Sequence, residues 1–218
     1  MSKSQVFVAK SDKLSNPWYT DSWKEKDSVT TVDKFVIDRV TCKDVTDMRW
    51  MFQNCSDLIS LDLSNFDTSK VEDMHSMFED CSNLTSLDVS NFNTSNVKDM
   101  SLMFYGCGSL TSLDLSSFDT SNTTEMIMMF DACSKLISVD LSNFDTSNVT
   151  NIWKMFADCT CLTSIKGIID MKSCTQYDDM FYGCFNLKDV KIKNPPADTN
   201  WWEKAGFRSE SQYTVVNE

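Results

Sequence analysis

The chain has 218 residues, with 20 Lys and Arg against 32 Asp and Glu, for a formal net charge of −12. That length allows one ordinary domain or one short repeat array, and the acidic balance argues against nucleic acid, whose phosphates need clustered cations. Five Gly, three Pro and a single His, His75, leave neither a glycine-rich phosphate cradle nor the imidazoles of a triad, a dyad or a multi-histidine zinc site, so the chain reads as non-enzymatic and without cofactor.

Residues 1–34 lack the basic stretch followed by an apolar run that marks a secretory signal, and contain Val6, Phe7, Val8, Trp18, Tyr19 and Trp23 without a clear period. From residue 35 a repeat takes over. Cys55, Cys81, Cys107, Cys133 and Cys159 are 26 residues apart, and Cys184 follows after 25. The unit LDLSNFDTSKVEDMHSMFEDCSNLTS at 61–86 recurs as LDVSNFNTSNVKDMSLMFYGCGSLTS and LDLSSFDTSNTTEMIMMFDACSKLIS, with weaker copies beginning at Phe35, Val139 and Ile165. Six repeats therefore occupy residues 35–189, and a fixed period of this size signals a solenoid.

Within a unit, Leu58, Leu61 and Leu63 alternate with Ser60, Asp62 and Ser64, which predicts a short strand buried on one face. Residues 65–70 are rich in Asn, Asp, Thr and Ser, types that bond their own backbone and begin helices. Met74, Met77, Phe78 and Cys81 then stand at i, i+3, i+4 and i+7, the stripe of an amphipathic helix. One unit buries its apolar side chains on one side only and cannot fold alone, so the units must stack. Strands pack about 4.8 Å apart but helices need roughly 8–10 Å, which would bend the stack into an arc with strands on the concave side and helices on the convex side. A solenoid exposes its core at both ends, so 1–34 and 190–218, the latter carrying Trp201, Trp202, Phe207 and Tyr213, are expected to be caps. For Trp201 and Trp202, after the Pro195-Pro196 turn, docking onto a larger assembly is the alternative. No apolar run spans a membrane; stretches such as 126–130 fall far short of the roughly 18–20 residues required.

Leu58-x-x-Leu61-x-Leu63 followed by Met77-Phe78-x-x-Cys81-x-x-Leu84 resembles the BspA-like leucine-rich-repeat surface proteins, and the likeness covers residues 35–189. It implies an α/β solenoid: a leucine-rich-repeat-like right-handed arc of six strand-turn-helix repeats. It further implies a non-enzymatic scaffold for protein binding, in adhesion or surface recognition, at the cell surface or outside the cell. With neither signal nor anchor in the chain, a cytoplasmic or virion-associated place stays open, as does a role as a structural or decoration subunit docked through its caps. Phe66, Phe92, Phe118 and Phe144 stand where ordinary leucine-rich repeats place a buried Asn, leaving Asn65, Asn91 and Asn143 to satisfy the turn.

Four ladders are candidate sites. Asp62, Asp88, Asp114 and Asp140 run up the strand face into Lys166 and Lys191, and fit either a cation-binding face, with calcium as the ion, or a solvated acidic stripe. The cysteine ladder reads as small core residues rather than a metal site; Cys161, off the ladder, is expected to be exposed. Thr68, Thr94, Thr120 and Thr146 reflect turn chemistry rather than an ice-binding array. Finally, the outward positions of the expected helices vary from copy to copy, and Trp50, Leu102, Tyr105, Ile127, Met128, Trp153 and Tyr182 are large residue types favoured at binding hot spots. They are expected either to contact a protein partner or to fill gaps between helices.

Overall fold

The computed structural model of the protein describes residues 35–36, 45–64 and 66–217. The N-terminal cap expected over 1–34, and Asn65, lie outside the described residues. Short parallel strands form three sheets: β1 (Phe35–Val36), β2 (Ser60–Asp62) and β3 (Ser86–Leu87); β4 (Ser138–Asp140) and β5 (Ser164–Lys166); and β6 (Ile169–Asp170), β7 (Val190–Lys193) and β8 (Tyr213–Val215). Pairing follows the repeat, with Leu61 opposite Leu87 and Val139 opposite Ile165. β2 and β4 turn their central apolar residue inward and their Ser and Asp outward, as the two-residue period of a strand requires.

Among the described residues of the repeats, the expected helices are absent. The stretch that carries Met74, Met77, Phe78 and Cys81 is a run of turns. Met74, Ser76, Phe78 and Asp80 donate their N–H groups to the carbonyls of Asp99, Ser101, Met103 and Tyr105 in the next repeat, at 3.0, 2.9, 2.9 and 2.7 Å. The intervening Met77, Glu79 and Cys81 close turns onto Met74, Ser76 and Phe78. A helix would send the N–H groups of this stretch to carbonyls four residues back, whereas here alternate ones cross to the neighbouring repeat. Two residues per unit also adopt left-handed backbone, Ser76 at φ 55° and Asp80 at φ 57° in this unit, with Leu102, Met128 and Lys154 repeating the first and Ala132 and Asp158 the second. Such residues cannot sit inside a right-handed helix. A helix of two to three turns is marginal by itself, while an in-register neighbour offers a partner for every second amide.

The expected arc loses its cause with the helices. Both sides of the coil are joined backbone to backbone, so both rise by about the same strand-like spacing. The aromatic core confirms that common rise. Phe52, Phe78, Phe104, Phe130, Phe156 and Phe181 form one stack with centroid separations of 5.4, 5.7, 5.6, 5.1 and 5.8 Å and near-parallel rings. Phe92, Phe118 and Phe144 form a second, at 6.5 and 6.2 Å. Both lie within the range of favourable offset stacking.

Polar side chains clamp the corners between these surfaces. Thr68, Thr94, Thr120 and Thr146 are buried. The Thr94 hydroxyl donates to the Asp119 carbonyl at 2.9 Å and accepts the Asp119 N–H at 2.8 Å, and the other three repeat the pair of bonds. Asn91 Nδ2 reaches back to the carbonyls of Leu63 and Phe66, and Asn143 Nδ2 to those of Leu115 and Phe118, so these two asparagines do satisfy the preceding turn. In the fourth repeat Ser117 has this place, and its hydroxyl bonds the Val89 carbonyl. The shortened sixth repeat loses its residue between Lys166 and Asp170: Asp140 pairs with Lys166, but Thr146 bonds Asp170 where Thr120 bonds Asp145. Gly167 lies in that gap at φ 106°, where a Cβ would come within 2.6 Å of the Leu141 carbonyl carbon.

At the C-terminal end, α1 (Trp201–Lys204) and β8 lie on the last repeat. The amides of Asp179 and Phe181, which would otherwise face a seventh repeat, donate to the carbonyls of Lys204 and Ala205. Trp201, Ala205 and Phe207 are buried, and the Phe207 ring continues the stack from Phe181 at 4.6 Å.

Two substitutions test this packing. Thr94→Val keeps the shape but takes from Asp119 the hydroxyl that both its N–H and its carbonyl use, and is expected to cost about 1–3 kcal/mol, with Thr94→Ser recovering most of it. Phe104→Ala, in mid-stack, is expected to cost about 3–5 kcal/mol. Both are read from urea midpoints at unchanged m, and a Thr94→Val chain as stable as the parent contradicts the clamp.

Candidate functional site

The strand-face ladder is built into the turns. Asp62, Asp88, Asp114 and Asp140 each accept, through Oδ1, the N–H of the Ser two residues on, at 3.1, 3.0, 2.9 and 2.9 Å. The charge-assisted bonds from Ser90 and Ser116 hold the carboxyls of Asp88 and Asp114 below their usual range. Asp140 is drawn down to about 2, first by Lys166, whose Nζ lies 2.7 Å from Oδ2, and then by Ser142. Depressed values mean that local hydrogen bonding outweighs repulsion along the ladder. One oxygen of each carboxylate is thus committed to its own backbone, and no group of three or more His, Cys, Asp or Glu among the described residues is arranged to hold a metal ion.

The ladder cysteines face inward. Cys81, Cys107, Cys133, Cys159 and Cys184 are buried free thiols, each with its Sγ 2.9–3.2 Å from a Phe carbonyl of the preceding repeat. Burial raises the Cys81 and Cys133 thiols and pushes Cys107 up to about 12. The Cys159 thiol is raised by its contact with Cys184 and by burial. Protonated and enclosed, Cys81, Cys107, Cys133 and Cys159 are weak nucleophiles and poor metal ligands. Cys161 is exposed.

The outward residues expected on helices lie instead on the turn face. Backbone bonds from Leu102 to Ile127, at 2.7 Å, and from Met128 to Trp153, at 2.9 Å, place these four on three successive repeats, with Tyr105 bonded back to Leu102. Leu102, Tyr105, Ile127 and Met128 are half-buried and Trp153 is exposed, so five large side chains on three backbone-bonded repeats of this face are at least partly open to solvent. Trp50 stands two repeats before Leu102, with the Arg49 guanidinium 4.9 Å from its ring and His75 against its edge. Tyr182 stands one repeat beyond Trp153 and is exposed. Of the two tryptophans considered for docking, Trp201 is taken up by Phe207 and Tyr213 at 6.2 and 4.9 Å, and Trp202 is half-buried against the core.

Other exposed apolar residues escaped the sequence reading. Ile59 and Ile137 share a register position with Thr85, Thr111 and Thr163, and Phe185 one with Ser82, Gly108, Ser134 and Thr160. A column comparison finds them as apolar residues in polar columns. Asp131 holds the register position of Tyr105 one repeat onward. It is 7% exposed, and its carboxyl is pushed up to about 6 by burial and by Asp158, against the opposing pull of Lys154.

The fold defined by these elements is a leucine-rich-repeat solenoid. A crystal structure of a leucine-rich repeat protein from Bacteroides ovatus is similar over 85% of this chain and 43% of its own, with a TM-score of 0.56 and 23% identity. This chain thus spans less than half of that protein. A leucine-rich repeat protein of T. pallidum is similar over 83% of this chain and 86% of its own, with a TM-score of 0.46 and 16% identity. The chain belongs to the family described as Mycoplasma protein of unknown function, DUF285, whose model matches residues 26–117 and 88–194. A comparison with curated proteins finds no match.

The raised Asp131 carboxyl has a signed consequence. Between the unperturbed value of 3.8 and about 6, the folded chain holds a proton that the unfolded chain releases, so this group's contribution makes stability fall as pH rises through that window. Asp131→Asn is expected to be more stable than the parent at pH 7 by on the order of 1 kcal/mol, with the gap closing toward pH 4. Urea denaturation across that range checks it, and a pH-independent difference contradicts it.

Proposed function

We propose that the protein is a non-catalytic repeat scaffold that binds another protein through its turn face, centred on Leu102, Tyr105, Ile127, Met128 and Trp153, with Trp50 and Tyr182 at the margins. The observation that carries this reading is the run itself: five large, mostly apolar residues on three successive repeats whose backbones bond to one another, partly open to solvent, while the inward columns stay Met, Phe and Cys. An exposed apolar patch on rigid, hydrogen-bonded corners is a low-entropy platform for a partner, and Trp and Tyr are favoured anchors. The resemblance of the repeat to BspA-like surface proteins supports adhesion or surface recognition as the setting, and the fold shared with a leucine-rich repeat protein supports a scaffold rather than an enzyme.

The test is a photo-reactive residue placed at Tyr105 in the full chain, with a control at Ser112 on the opposite side of the repeat, cross-linked in source material. One partner joined at Tyr105 and not at Ser112, and lost from a Trp50→Ala, Tyr105→Ala, Trp153→Ala chain of unchanged fold, is the expected result. Equal labelling at both positions overturns the assignment.

A further inference from the structure

The apolar run of the turn face sits in a negative frame. Asp158 and Asp178 are exposed beside it, and Glu79, Asp80 and Asp179 are half-buried around it. Asp80 donates its N–H to the Tyr105 carbonyl, and Gly106, next to Tyr105, donates its own to Asp131, so carboxylates flank Tyr105 in both neighbouring repeats. The Tyr105 hydroxyl is raised by burial and by the fields of Asp131, Asp80, Glu79 and Asp158. None of these acids forms an ion pair among the described residues. The cations near by are few and engaged: Arg49 is held by Asp47 at 2.6 Å and leans on Trp50, and Lys154 lies with Nζ 5.1 Å from the Trp153 ring centroid.

Resting on the turn face as the binding surface, we infer that its occupant is a cationic segment of a partner protein, with an aliphatic or aromatic side chain anchored among Leu102, Ile127 and Trp153 and Arg or Lys side chains directed at Asp80 and Asp158. Three observations select it. Carboxylates that form no ion pair among the described residues, Glu79 alone taking a hydrogen bond from Gln53, favour cations on the partner and resist anions. A second copy of this chain, itself at −12, would bring like charge to like charge, and nucleic acid and acidic lipid surfaces meet the same repulsion. Lys154 already demonstrates the recognition within the chain, since its ammonium lies 5.1 Å from an indole ring centroid and its field opposes the rise of the neighbouring Asp131 carboxyl, the cation–π and charge pairing that a partner's Lys or Arg would repeat.

The experiment titrates the full chain with three synthetic peptides of equal length by calorimetry at low and high salt: one alternating Leu and Trp with Lys and Arg, one with Glu replacing every cation, and an oligolysine. Asp80→Asn and Asp158→Asn are the variants of choice, because Asn is isosteric and tolerates the left-handed backbone of both positions. The expected result is binding of the cationic apolar peptide alone, weakened on the order of tenfold by high salt or by the double Asn variant, and abolished in Tyr105→Ala, Trp153→Ala. Equal binding of the acidic peptide, or indifference to the double Asn variant while Tyr105→Ala, Trp153→Ala still abolishes binding, overturns the cationic partner but leaves the turn face as the docking surface. Equal binding of oligolysine, or binding that no variant changes, marks nonspecific attraction to an acidic protein and overturns both. Failure of every peptide to bind overturns the cationic partner, and the Tyr105 cross-link then stands as the separate measure of the face. Sedimentation that shows a dimer lost in Tyr105→Ala, Trp153→Ala assigns the face to a second copy instead and also overturns it.

Discussion

Everything in this fold depends on one backbone interaction, the hydrogen bond from alternate turn residues to the carbonyl of the next repeat. Strands make such bonds on their own side of the coil as a matter of course. Here the other side makes them too, from Met48, Trp50, Phe52 and Asn54 in the first described turn to Asp179 and Phe181 at the last. With both sides joined at one spacing, equivalent side chains of successive repeats fall directly over each other. The phenylalanines then stack, the buried threonines reach both polar groups of the same neighbouring residue, and each thiol finds a Phe carbonyl. A helical side would have set a wider spacing there and broken all three columns.

The same interaction shapes the candidate surface. Alternate cross-repeat bonding forces left-handed corners, and residues such as Leu102, Met128 and Lys154 occupy them at roughly 1–2 kcal/mol each relative to right-handed backbone, a cost that the bonds and core around them must offset. Where Asp80 turns its carboxylate toward the next repeat, that repeat has Gly106, and Asp158 faces Gly183 in the same way, so an acid in one copy is accommodated by a glycine in the next. Corners fixed by backbone place few demands on outward side chains. That freedom lets one column read Trp50, Ser76, Leu102, Met128, Lys154 and Asp179 while the columns behind it barely change.

Much of the fold was legible in the sequence. The 26-residue spacing of the cysteines fixed the register later seen in Leu61 opposite Leu87, and the inward set around Met74, Phe78 and Cys81 is buried as its periodicity demanded. What the periodicity could not separate was a helix from a train of turns, because both return side chains to one face after three or four residues. Ser76 and Asp80 carry no glycine to mark their left-handed backbone, although Gly106 and Gly183 in equivalent positions were a visible hint. Of the candidate site, the identities of the outward residues were legible but their adjacency was not. Leu102, Ile127 and Trp153 belong to two different columns, and only the bond from Leu102 to Ile127 reveals that they meet. The burial of Asp131 depends on neighbours from adjacent repeats, which one unit cannot show.

The most direct test of this account is a through-hydrogen-bond scalar coupling measured by NMR on the deuterated, isotope-labelled chain. The account predicts couplings from the amide nitrogens of Leu102 and Phe104 to the carbonyl carbons of Ile127 and Met129, one repeat onward. Couplings to Lys98 and Met100 instead, four residues back as in a helix, would contradict it and return the wider spacing, and with it the curved arc, to the structure.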